Sequence, residues 1–109
     1  MGLLSFFGFG SGKSDNYRIK DALRKGAIIV DVRTGIEYDR GHVPDAFNIP
    51  VDRIKTSAQR LKEAKMPIIL CCNSGSRSSV AVQQLKAIGL KEVYNGGSWE
   101  DVLKQMQHL

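Results

Sequence analysis

Apolar residues fall into short runs separated by stretches with helical spacing. Ile19, Ala22 and Leu23 share one helical face, and Gly26 is placed to cap that helix. Ala27-Ile28-Ile29-Val30, ending at Asp31, is a continuous apolar run and predicts a strand buried on both faces. Asp45 to Ile49 predicts a weaker strand, closed by Pro50. Residues 52 to 64 are polar and basic, with Ile54, Ala58 and Leu61 on one helical face. Pro67 opens the next strand, Ile68-Ile69-Leu70-Cys71. Ala81, Leu85 and Ile88 form a further helical stripe, stopped by Gly89. Glu92-Val93-Tyr94 predicts a last short strand, Gly96-Gly97 a turn, and a final helix starts at about Ser98. This alternation predicts an α/β domain of βαβ units around a parallel sheet. Ligands in such sheets bind beyond the C-terminal strand ends, which directs attention to residues 72 to 78.

The chain has 109 residues, enough for one domain with its own core. Its longest apolar runs fall far short of the roughly 20 residues that span a bilayer. The net charge of +5 favours anionic partners. The basic residues are spread out, with a mild excess between Arg53 and Lys65. No aromatic residues interleave with that excess, so a nucleic-acid surface is not expected. Cys71 and Cys72 are the two cysteines, and neighbouring residues rarely bridge each other. A disulfide framework is therefore not expected, and neither His42 nor His108 has ligand spacing to a thiol, so no metal site is expected. Free thiols suit a reducing compartment, and the expected location is the cytoplasm.

Residues 1–14, rich in Gly and Phe, read as a flexible lead-in to a domain over residues 15–109. The weaker alternative is a Phe-rich patch touching a membrane or a partner. The segment lacks a cationic start and a small-x-small cleavage site, so it does not read as a secretory signal. Phe6 occupies the position where myristoylation needs Ser or Thr. Gly12-Lys13-Ser14 ends like a phosphate-binding loop, but Phe7 stands where its leading glycine belongs.

The stretch that carries chemistry is Cys72-Asn73-Ser74-Gly75-Ser76-Arg77-Ser78, directly after an apolar strand. A free thiol ionises near ~8.5 and is mostly protonated at neutral pH. Backbone N–H groups in a small-residue loop form an anion nest, and a helix starting near Arg77 adds partial positive charge there. Gly75 allows the tight curl, and Arg77 is placed to fix an incoming anion. Together they would stabilise either a Cys72 thiolate, as nucleophile, or a persulfide anion on it. Cys71, inside the strand, reads as a buried structural residue, although a transient mixed disulfide at Cys71 stays open. His42, within Gly41-His42-Val43-Pro44, reads as a packing residue at a turn rather than a general base.

These residues resemble a rhodanese homology domain over about residues 15 to 107. Asp31-Val32-Arg33, Glu37-Tyr38, Gly41-His42-Val43-Pro44-Asp45-Ala46 and Asn48-Ile49-Pro50 resemble the family's first signature. The Cys72 loop resembles its active loop, and Asn95-Gly96-Gly97 with Trp99 its closing signature. The resemblance implies a three-layer fold with a mainly parallel, about five-stranded sheet flanked by helices. It implies a sulfurtransferase in which Cys72 accepts sulfane sulfur from a small anionic donor such as thiosulfate. Cys72 then passes it to cyanide, a thiol or a protein acceptor, with no cofactor. The amides of Asn73, Ser74, Gly75, Ser76 and Arg77 would cradle the persulfide, while the first signature would be structural. Ser76 stands where many active members carry a basic or larger residue, which leaves donor preference open.

Two alternatives belong beside this reading. Counted from Cys71 the sequence shows Cys-x5-Arg, the loop of a Cys-based phosphatase or arsenate reductase. Counted from Cys72 it shows the shorter Cys-x4-Arg, with Gly75 in register, and a smaller nest admits sulfur better than phosphoryl. A persulfide carrier or regulatory module for a protein partner is the other alternative.

Overall fold

The computed structural model describes residues 12–109, so the expectations for residues 1–11 lie outside the described residues. Helix α1 (Gly12–Arg24) leads into strand β1 (Ile28–Asp31), and the short helix α2 (Gly35–Asp39) follows. Strand β2 (Phe47–Asn48), a 3-10 turn (Val51–Arg53), helix α3 (Ile54–Ala64) and strand β3 (Ile68–Cys72) come next. Helix α4 (Ser76–Ile88), strand β4 (Val93–Ser98) and helix α5 (Trp99–Gln107) complete the chain. The sheet order is β2-β1-β3-β4, and every pair is parallel. The described residues hold four strands, against the about five implied, and α1 is the helix that the spacing of Ile19, Ala22 and Leu23 predicts. None of the described helices is long and apolar enough to cross a membrane.

Strand parity builds the two halves of the core. Side chains alternate across a strand, so Val30, Val32, Ile68, Leu70 and Cys72 pack under α3 and α4 with Ile54, Ala58, Leu61, Ala81 and Leu85. Ile29, Ile69 and Cys71 face the other way, under α1 and α5 with Ile19, Ala22 and Val102. Ile68, Ile69, Leu70 and Leu85 are fully buried, each contributing about 1.5–3 kcal/mol of burial free energy. The helix stripes read from periodicity are therefore the inward faces, with one difference. Ile88 is exposed, because Gly89 ends α4 there and the chain turns back to bury Leu90, whose N–H bonds the Leu85 carbonyl.

Three other elements differ from expectation. Asp45 to Ile49 shortens to the two residues of β2, on the sheet edge. Helix α2 was not foreseen, although Thr34-x-x-Glu37 is a capping box: Thr34 accepts from the Glu37 N–H, and Glu37 accepts from the Thr34 N–H. Gly96-Gly97 is not a turn. Strand β4 runs through it, with a bulge where Leu70 pairs with Asn95 and Cys71 with Gly97. A Cβ on Gly96 would lie 2.6 Å from Val102 Cγ2 and 2.8 Å from Ile69 Cγ2, so only glycine lets α5 close against the sheet there.

Candidate functional site

The site forms where β3 ends and α4 begins. Cys72 is the last residue of β3, and the chain then curls over Gly75, in a left-handed conformation (φ 95°), into α4. The curl returns the loop onto the strand end, and the Gly75 N–H points at Cys72 Sγ, 3.0 Å away. Burial opposes charge on Cys72, but hydrogen bonds from the Ser78 hydroxyl and from the Ser78, Ser74 and Gly75 amides outweigh it. The thiol is therefore held below its ordinary pKa.

Ser78 and Asn95 lie beneath the sulfur. Ser78 Oγ is 3.5 Å from Cys72 Sγ and donates to Asn95 Oδ1 at 2.7 Å. Asn95 Oδ1 also accepts the Gly97 N–H at 2.9 Å, and Asn95 Nδ2 donates to the Gly75 carbonyl at 3.0 Å. A hydroxyl has one proton to give. That proton can serve Cys72 Sγ or Asn95 Oδ1, and Asn95 Oδ1 has the Gly97 N–H as a second donor. The β4 bulge at Gly96 and Gly97 therefore serves the loop, positioning Asn95 as its anchor.

The remaining loop side chains are engaged from outside. Asn73 Nδ2 donates to Glu37 Oε2 at 2.8 Å, and Asn73 Oδ1 accepts from Arg33 at 3.4 Å. Ser74 and Ser76 are exposed, their hydroxyls 3.3 Å apart. Arg77 sits at the helix start, as its position predicts, but it does not point free into the site. Its guanidinium forms a two-pronged pair with Glu37 at 2.8 and 3.1 Å. Arg77, with the Thr34 amide, holds the Glu37 carboxyl far below the usual carboxylate range. Glu37, Ser78 and Asn95 were missed as site residues. Their motifs were visible, but their contacts reach 40, 6 and 17 residues away in sequence.

The first signature forms the rear wall. Buried Asp31 and Arg33 pair at 2.6 Å, and Arg33 also donates to the Gly41 carbonyl and stacks over Trp99. Asn48 ties the carbonyls of Asp31 and Arg33 together. His42 stacks on Tyr38 with its Nδ1 2.7 Å from the Tyr38 carbonyl, as a packing residue at a turn would. Cys71 faces the other half of the core. Burial, aided by the nearby Asp31 charge and opposed by Arg33, pushes its thiol up to about 12. Among the described residues, no group of three or more His, Cys, Asp or Glu side chains could hold a metal ion.

A thiol whose ionised form is favoured by hydrogen bonds at a strand end is suited to attack on an electrophilic sulfur. The chain is 37% identical over 67 residues to the putative sulfur carrier protein YrkF of Bacillus subtilis, covering 62% of this chain and 36% of that one. It is 36% identical over 69 residues to YqhL of the same organism, covering 63% of this chain and 54% of that one. The chain thus spans between a third and just over half of these relatives' length. Two solved structures share the fold. A rhodanese with anions from E. coli superposes with TM-score 0.64 at 30% identity, covering 69% of this chain and 89% of that one. The human single-domain sulfurtransferase TSTD1 superposes with TM-score 0.64 at 26% identity, covering 81% and 91%. The family model of the rhodanese-like domain matches residues 15–105, from α1 through α5, and the chain belongs to that family.

Proposed function

We propose that this protein is a sulfurtransferase that carries sulfane sulfur as a persulfide on Cys72. The supporting observation is the placement of Cys72 Sγ against the Gly75 amide and the Ser78 hydroxyl, with its thiol held below the ordinary value. The Cys72 thiolate attacks the outer sulfur of a donor such as thiosulfate; the donor S–S bond breaks and sulfite leaves with the electron pair. The loop amides then hold the negative outer sulfur. Cyanide, a thiol or a protein acceptor attacks that sulfur, the Cys72 S–S bond breaks, and the thiolate is restored. Neither step needs an external oxidant or reductant. The name of the Bacillus relative, a putative sulfur carrier, supports a protein acceptor as one class of partner. The contacts around Arg77 and Glu37 do not favour the phosphatase alternative, because the guanidinium that would grip a phosphoryl group is already paired.

The test is thiocyanate formation from thiosulfate and cyanide, comparing the native chain with Cys72→Ser. Turnover in the native chain that vanishes in the variant supports the proposal; equal turnover in both refutes it.

A further inference from the structure

The charged side chains that hydrogen-bond the active loop cancel. Arg33, which reaches Asn73, is paired with Asp31, and Arg77 is paired with Glu37. Both Glu37 oxygens are in use: Oε1 takes Arg77 and the Thr34 N–H, and Oε2 takes Arg77 and the Asn73 amide. What remains to attract an anion is the backbone amides of the loop, of which the Gly75 N–H is already committed to Cys72 Sγ at 3.0 Å. A dianionic donor meets little further positive charge unless it displaces a chelated carboxylate from Arg77.

We propose that Glu37 sets donor selectivity: by neutralising Arg77 it biases Cys72 towards organic persulfides of low charge and against dianionic thiosulfate. The proposal rests on the sulfurtransferase reading and names the substrate class of the same site. With an organic persulfide R–S–SH, the Cys72 thiolate attacks the outer sulfur, the S–S bond breaks, and R–S⁻ leaves with the electron pair. Cys72 is left as Cys–S–SH, so atoms and charge balance. Glu37 is a positioning residue here, since it acts through Arg77. Arg77 and Glu37 are each about a third exposed, so water screens the effect and makes it salt-dependent.

The experiment compares thiosulfate with 2-hydroxyethyl persulfide, a donor that carries at most one negative charge, reading kcat/KM and the intact mass of the persulfidated chain. Glu37→Gln keeps the side-chain length and the capping bond, because glutamine also serves in a capping box, and releases the Arg77 charge; it also gives up the Asn73 bond to Oε2, which Arg77→Gln leaves in place. The ratio of kcat/KM for thiosulfate to that for 2-hydroxyethyl persulfide is expected to rise about tenfold at low salt and less at high salt. Arg77→Gln, leaving Glu37 unpaired, is expected to lower the same ratio, and the double variant to bring it back near the native value. These opposite signs exclude general misfolding as the cause. A ratio unmoved by Glu37→Gln, or moved the same way by both single variants, overturns the proposal while leaving the sulfurtransferase reading intact. A native chain that gains no sulfur from either donor overturns both.

Discussion

Cys71 and Cys72 are neighbours in the chain, yet they project to opposite faces of the sheet. Cys72 lies with Leu70 and Ala81 under α4, while Cys71 lies with Ile69 and Val102 under α5. The amides that curl over the strand end therefore serve one thiol and leave the other in apolar surroundings. On the proposed mechanism, Cys72→Ser abolishes sulfur transfer and Cys71→Ser keeps most of it. Cys71→Ser lowers stability by about 1–3 kcal/mol, since a hydroxyl replaces a thiol in a packed core. Thiocyanate assay and urea unfolding read the two effects separately.

The two thiols also separate by pH. Only the thiolate alkylates, and Cys72 ionises below the ordinary thiol value whereas Cys71 is pushed up to about 12. Iodoacetamide at neutral pH is expected to modify Cys72 alone in the folded chain. Raising the pH accelerates modification of Cys72 until its pKa is passed, after which the rate levels. Ser78→Ala removes a hydrogen bond that favours the thiolate, so this rate profile moves to higher pH. An unmoved profile would show that the backbone amides alone set the ionisation.

Cys71 adds an alkaline weakness to the fold. Its folded pKa is raised from 9.0 to about 12, so as pH rises through this window the unfolded chain loses a proton that the folded chain keeps. The folded state then binds more protons, and stability falls as pH rises. Cys71→Ala is expected to flatten this loss relative to the native chain, as measured by urea midpoints across the alkaline range.

The rear wall depends on a buried ion pair. Asp31 is fully buried and Arg33 nearly so. Asp31→Ala leaves the guanidinium without its carboxylate and is expected to cost about 3–5 kcal/mol. The Asn73 contact with Arg33 should loosen as well, so activity falls beyond the loss of folded protein. Unfolding by urea and turnover per folded molecule check the two parts.

The bulge in β4 is equally sensitive. Gly96→Ala forces the Val102 and Ile69 methyl groups apart, because the added carbon would sit at 2.6 and 2.8 Å from them. Destabilisation of about 1–3 kcal/mol is expected. Asn95 precedes the bulge and anchors the loop, so the same change should also raise the Cys72 pKa. Thermal unfolding and the alkylation profile read these out.

The sequence by itself determined whatever is local. The apolar run Ile68 to Cys71 is a strand because its residues are buried on both faces, and Gly26 and Gly89 end helices because they take positive φ. The position of Cys72 at a strand end, and the loop that curls through Gly75 into α4, followed from the same local patterns. Tertiary structure decided whatever depends on which distant segments meet. Gly96-Gly97 carries turn chemistry in isolation, and only the packing of Val102 and Ile69 makes it a bulge within a strand. Arg77 reads as a free cation in its own loop, and only the parallel alignment of β1 beside β3 brings α2 and Glu37 against it. Spacing along a chain reports backbone geometry and burial over a few residues, whereas the pairing of charges 40 residues apart is set by sheet order and register.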